Sequence, residues 1–242
     1  MCCLQLLVHF WIAPTLMTKF NSTYPTLSRR DQSTALGYIS PLLHHVCVVP
    51  VCIWLILQDG MTPIGTPVDY TWTARVMSTS CGYFIADTVV LLPDVLKGKH
   101  LDFFAHHLVA LAMVAGPGLA SPTAWRWTPH FMMSESTSVL FGMLWWLRKT
   151  GRESSSLYLL NAVSFTVLYF FKRVLGIPAA TLALFVLHSE ERALAGPSVW
   201  LLPVASLLQW YWFKLIVQGL CDRVRSGATN TGGKGNLSSK FD

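Results

Sequence analysis

Residues 76–119 read VMSTSCGYFIADTVVLLPDVLKGKHLDFFAHHLVALAMVAGPGL. Two apolar runs, 76–96 and 101–119, are separated only by the basic step Lys97-Gly98-Lys99-His100. A helix rises about 1.5 Å per residue, so roughly 20 residues cross the ~30 Å of hydrocarbon in a bilayer. The spacing therefore predicts two membrane-crossing helices joined by a short loop. Each also carries ionisable residues that hydrocarbon resists: Asp87 in the first, His106 and His107 in the second.

Working outward, further apolar runs fall at 2–17, 36–57, 129–147, 157–187 and 198–220, which gives an all-α, polytopic membrane protein of seven crossings. The run 157–187 is too long for one straight crossing, and Gly176 with Pro178 predicts a kink or tilt there. The run 2–17 is short and contains Pro14; no Lys or Arg precedes it, which argues against a cleaved signal peptide. Composition agrees with this class. Of 242 residues, 52% are hydrophobic and 12% charged, about half the charged fraction of a soluble domain. The net charge of +6 is not gathered into a stripe, so no nucleic-acid partner is expected.

Basic loop residues set the orientation, because cytoplasmic loops carry the excess of Lys and Arg. Alternate loops and the tail hold 12 of the 18, among them Lys19, Arg29, Arg30, Lys97, Lys99, Arg148, Lys149 and Arg152; the opposite side holds only Arg75, Arg126 and Arg192. The expected topology has a lumenal N-terminus and a cytosolic C-terminus. Domains are expected at 1–29 (first helix and loop), 30–222 (six helices) and 223–242 (a disordered tail rich in Gly, Ser, Thr and Asn). The sequons at Asn21 and Asn236 then face the cytosol and stay unmodified. The six cysteines lack CxxC spacing, and Cys221 occupies a juxtamembrane position suited to acylation.

An ionisable side chain at mid-bilayer costs at least ~2.5 kcal/mol, so it turns inward and finds a partner or a function. Here the set is His44, His45, Asp87, His106, His107, Glu135, Lys172, Arg173 and Lys214, mostly in the cytosolic half or near the midplane. The clustering predicts one polar cavity, with pairing of Glu135 or Asp87 to Arg173 as the purely architectural alternative. A neutral histidine can take a proton from an amine or hydroxyl, and a carboxylate can hold its tautomer. Asp102 and His106 share a face at i,i+4, as do Ser40 and His44; Asn161, Phe165 and Arg173 fall near one face of the sixth span.

The segments Ser40-Pro41-Leu42-Leu43-His44, Ser80 to Asp87, Asp102 to His107, Glu135-Ser136-Thr137, Asn161, Arg173 and Gln209 to Lys214 resemble the TLC-domain family over roughly residues 30–222. That family includes the ceramide synthases. No Asp-x-Ser-Asp stretch follows the histidine pair and the chain is shorter, so the likeness is closer to the small TLC-domain-containing proteins than to the synthases. The resemblance implies a helical membrane barrel of the endoplasmic reticulum with a polar central cavity. It also implies that His106 and His107 are a catalytic pair supported by Asp87, while His44, Glu135, Asn161, Arg173 and Lys214 line the substrate site. Two functions follow: acyl transfer from acyl-CoA, as co-substrate, to the amine or hydroxyl of a sphingoid base or phospholipid, or lipid binding that regulates membrane composition without turnover. No permanently bound cofactor is expected. An intramembrane metal-dependent hydrolase is the alternative; His44, His106 and Asp87 would supply its ligands, although no HxxxH pair is present.

Overall fold

A computed structural model describes residues 1–61, 71–120, 127–186 and 200–229, with side chains also undescribed at 40, 61, 116–120 and 223–229. Every regular element among the described residues is helical. The chain begins with α1 (Cys2–Leu7), a π-helical turn (Val8–Ile12) and α2 (Ala13–Phe20), which run on as one rod. Then follow α3 (Arg29–Met61), α4 (Thr71–Val95) and α5 (Leu101–Ala120). Next, α6 (Thr128–Met132) passes through a 3-10 turn (Met133–Glu135) into α7 (Ser136–Lys149). The pair α8 (Ser156–Tyr169) and α9 (Ile177–Val186) is joined by a π-helical stretch (Phe170–Gly176), and α10 (Leu201–Thr229) closes the described chain.

Three helical segments among the described residues are long and apolar enough to cross a membrane: Arg29–Gly60, Thr71–Val95 and Ser156–Val186. Leu101–Ala115 is a shorter apolar helix. The helical rods coincide with the seven expected runs, while span length and hydropathy single out three of them. The helix of α10 continues past residue 222, where the tail was expected to begin, to Thr229; residues 230–242 lie outside the described ones. So do Arg126, Arg192 and Asn236.

Both π-helical turns sit just ahead of a proline, Pro14 and Pro178. A proline ring crowds the carbonyl four residues back and offers no N–H to it; a wide turn relieves both problems. The expected irregularity of the sixth run is thus a π stretch upstream of Pro178, with the helix continuing on either side. Local signals fix the other ends. Ser28 Oγ accepts from Asp31 N at 3.1 Å and so caps α3, while Ser155 does the same for α8 through Tyr158 N at 3.1 Å. After α7, Gly151 takes φ +70°, and Arg152 N returns to the carbonyl of Leu147 at 2.9 Å, which is the glycine-dependent way to end a helix.

Packing is inside-out compared with a water-soluble protein. The fully buried side chains include Gln5, His44, Ser80, Thr137 and Gln209, whereas Trp11, Phe20, Leu96, Leu159, Leu160, Leu182 and Leu207 are exposed. An apolar exterior that encloses polar side chains within an apolar core is what hydrocarbon surroundings select. The α3–α4–α5 interface is tied by Val48, Cys52, Val76, Tyr83, Phe84 and Val114. The first rod lies against α4 at Gly82, where a Cβ would stand 2.8 Å from Cys2 N.

Candidate functional site

The inward faces of α3, α4, α5, the 3-10 turn, the π stretch and α10 bring the expected ionisable residues together. His107 Nδ1 lies 3.2 Å from Asp87 Oδ2. Those atoms are in ion-pair range without the alignment of a full hydrogen bond. His106 Nε2 is 3.8 Å from Glu135 Oε1, and Arg173 Nη2 reaches the same oxygen at 3.4 Å. The helix geometry explains the split. Adjacent residues on a helix point about 100° apart, so His107 turns toward α4 and His106 toward the 3-10 turn and α10. There His106 meets the edge of Trp212, with ring centroids 5.3 Å apart, and Trp212 Nε1 donates to Asp102 Oδ2 at 2.8 Å. The shared face of Asp102 and His106 is therefore real, with Trp212 bridging it.

Arg173 is the most heavily tethered residue of the group. Its Nε donates to Thr137 Oγ1 at 2.8 Å and to the carbonyl of Ser134 at 3.1 Å, and its Nη1 donates to Gln209 Oε1 at 3.2 Å. Tyr169 OH donates to the same Gln209 oxygen at 2.9 Å. The π stretch positions the guanidinium: a wider turn shifts Arg173 around the axis and toward the carbonyls freed at the 3-10 turn. Pairing with Glu135 neutralises both buried charges. Unpaired, either would cost several kcal/mol, on the order of 3–5.

His44 is fully buried; its Nε2 is 3.0 Å from Ser80 Oγ, its Nδ1 3.4 Å from His45 Nδ1, and its ring stacks on Tyr83 with centroids 4.2 Å apart. The expected partner Ser40 has an undescribed side chain. His45 is buried too, and among the described residues its Nε2 has no hydrogen-bond partner; nor does Gln209 Nε2.

Two expected site residues stand apart. Asn161 is buried, but its Nδ2 donates to the Leu140 carbonyl at 2.9 Å, where it brackets α8 to α7. Lys214, expected to line the substrate site, is exposed on α10. It lies five residues beyond Gln209, about 140° around the helix, and the long side chain turns its ammonium outward. The inward polar residue of α10 is Gln209 itself, which charge-based reading passes over because an amide is neutral. The three metal ligands imagined for a hydrolase are each engaged with a different partner: His44 bonds Ser80, Asp87 faces His107 and His106 faces Glu135. Among the described residues no group of three His, Cys, Asp or Glu is placed to hold a metal ion.

Comparison with known proteins follows the same outline. Residues 39–218 match the family described as the TLC domain. TLC domain-containing protein 4-A of Xenopus laevis is 25% identical over 224 residues, covering 89% of this chain and 86% of its own. TLC domain-containing protein 4 of Xenopus tropicalis is 25% identical with the same coverage, and TLC domain-containing protein 4 A of Dictyostelium discoideum is 19% identical over 93% of this chain and 88% of its own. No solved structure matches significantly.

Proposed function

Because the chain belongs to the TLC-domain family, we propose that it spans the endoplasmic reticulum membrane seven times, N-terminus lumenal, and acts there on membrane lipids through the buried polar group. The observation that carries this reading is the Asp87–His107 pair at 3.2 Å, a carboxylate set against an imidazole inside an apolar bundle. Asp87 steadies the Nδ1 edge, which leaves Nε2 of His107 to take the proton from a lipid amine or hydroxyl as its oxygen or nitrogen attacks an acyl thioester. The new amide or ester bond forms as the carbon–sulfur bond breaks, and the proton returns to the departing thiol. His106 and the Glu135–Arg173 pair bound the same space and orient the lipid head. Acyl-CoA is the donor this chemistry requires, drawn toward the basic cytosolic loops.

A second reading is favoured by the bonds that tie Arg173 to Glu135, Thr137 and Gln209. Such a tethered network suits a protein that holds a lipid and regulates membrane composition without turnover.

Purified protein in nanodiscs, offered labelled acyl-CoA with sphingoid bases and lysophospholipids, separates the two. Acylated product from wild type that disappears in His107→Ala and falls in Asp87→Asn establishes the transferase. A specific co-purified lipid without product establishes the binding role, and the absence of both product and bound lipid overturns both readings.

A further inference from the structure

The Ser80–His44–His45 array lies on α3 and α4, beside the pairs described above and separate from them in its hydrogen bonds. Its atoms form a line: Ser80 Oγ, 3.0 Å to His44 Nε2, then across that ring from Nδ1, 3.4 Å to His45 Nδ1. A serine hydroxyl against an imidazole whose far nitrogen meets a third polar group is the arrangement of an activated nucleophile. Stacking on Tyr83, with planes 13° apart, fixes the plane of the His44 ring.

The line also reads in one direction. If Ser80 donates to His44 Nε2, then His44 carries its proton on Nδ1 and donates to His45 Nδ1. His45 must then carry its own proton on Nε2. That atom has no hydrogen-bond partner among the described residues, although His45 is only 3% exposed. A buried donor without an acceptor costs on the order of 1–3 kcal/mol, and it points to an acceptor oxygen that arrives with a ligand.

We propose that Ser80 is an acyl-accepting nucleophile, with His44 as its base and His45 as the residue that positions His44. The proposal rests on the acyl-transfer reading above and replaces its direct attack with a two-step reaction, with a long-chain acyl thioester as donor. In the first step Ser80 Oγ bonds to the acyl carbon, the carbon–sulfur bond breaks, and the serine proton passes through His44 Nε2 to the leaving thiol. In the second, a lipid hydroxyl or amine attacks the seryl ester, the carbon–Oγ bond breaks, and the incoming proton passes through His44 to restore Ser80. No oxidant or metal is needed, and burial keeps water from the ester.

Wild type in nanodiscs is treated separately with palmitoyl-CoA and with an alkyl fluorophosphonate, then digested for peptide mass spectrometry, with melting followed for every variant. The expected result is an acyl or phosphonyl adduct on Ser80, absent from Ser80→Ala and roughly 100-fold slower to form in His44→Gln, the size of effect that loss of a general base brings. His45→Asn keeps an acceptor where Nδ1 stood and retains labelling, whereas His45→Leu loses it with its melting transition intact. Absence of any adduct on Ser80 in folded wild type overturns the proposal, as does equal labelling of His44→Gln. Lipid product retained by Ser80→Ala but lost in His107→Ala sinks the array and leaves direct transfer standing; acyl-Ser80 without lipid product does the reverse.

Discussion

At the scale of single residues, the cost of placing charge in hydrocarbon made the inward polar residues readable from the sequence. His44, Asp87, His106, His107, Glu135 and Arg173 stand out by that argument, and each has a polar partner inside the bundle. Lys214, singled out by the same argument, is exposed on α10, because a lysine can carry its charge outward along its own stem. It was silent on Ser80 with His44, and on Thr137, Tyr169 and Gln209, since neutral polar groups cost too little to stand out among apolar neighbours. The Glu135–Arg173 pair tests the energetics. Arg173→Leu strands a buried carboxylate and is expected to lower stability by about 3–5 kcal/mol in denaturant titrations in detergent. Arg173→Lys keeps the charge but gives up the planar fork that reaches Thr137, Ser134 and Gln209 together, and is expected to recover only part of that loss. By contrast Lys149, 2.9 Å from Asp31 and partly exposed, contributes little. Lys149→Ala should change the same titration by no more than about 1 kcal/mol.

At the scale of elements, hydropathy located the rods well, but it could not show how two of them absorb a proline. A π-helical turn leaves no mark in composition; its cause is steric and becomes visible only when the backbone is followed past Pro14 and Pro178. Close approach between elements was equally invisible. Gly82 reads as one more small residue in an apolar run, yet a Cβ there meets Cys2 N at 2.8 Å and Met1 Cβ at 2.9 Å. Gly82→Ala therefore pushes backbone against backbone, and a loss of about 1–3 kcal/mol is expected, the usual cost of overpacking. Thermal melts of Gly82→Ala beside Gly37→Ala, where the added Cβ meets nothing within 4 Å, provide the comparison. Equal melts would mean that the first rod does not press on α4.

At the scale of the whole molecule, the inside-out packing and the alternation of basic loops both follow from sequence, whereas the number of crossings depends on how short rods meet the lipid. Glycosylation sequons added ahead of residue 2 and after residue 242 test the topology in microsomes. Modification at the front alone is expected, with Asn21 unmodified; a glycan on the rear tag would reverse the orientation, and glycans on both would require an even number of crossings. The first rod has a further consequence. The match to the family model begins at residue 39, yet Gly82 on α4 is covered from residues 1 and 2, and Trp145 on α7 shares a buried cluster with Tyr24, Met17 and Leu27. A fragment trimmed to the bounds of the domain match would bare the seams that its missing neighbours close, so dissection of this chain has to follow its contacts, which reach back to the first residues, and similarity to the relatives likewise runs past those bounds.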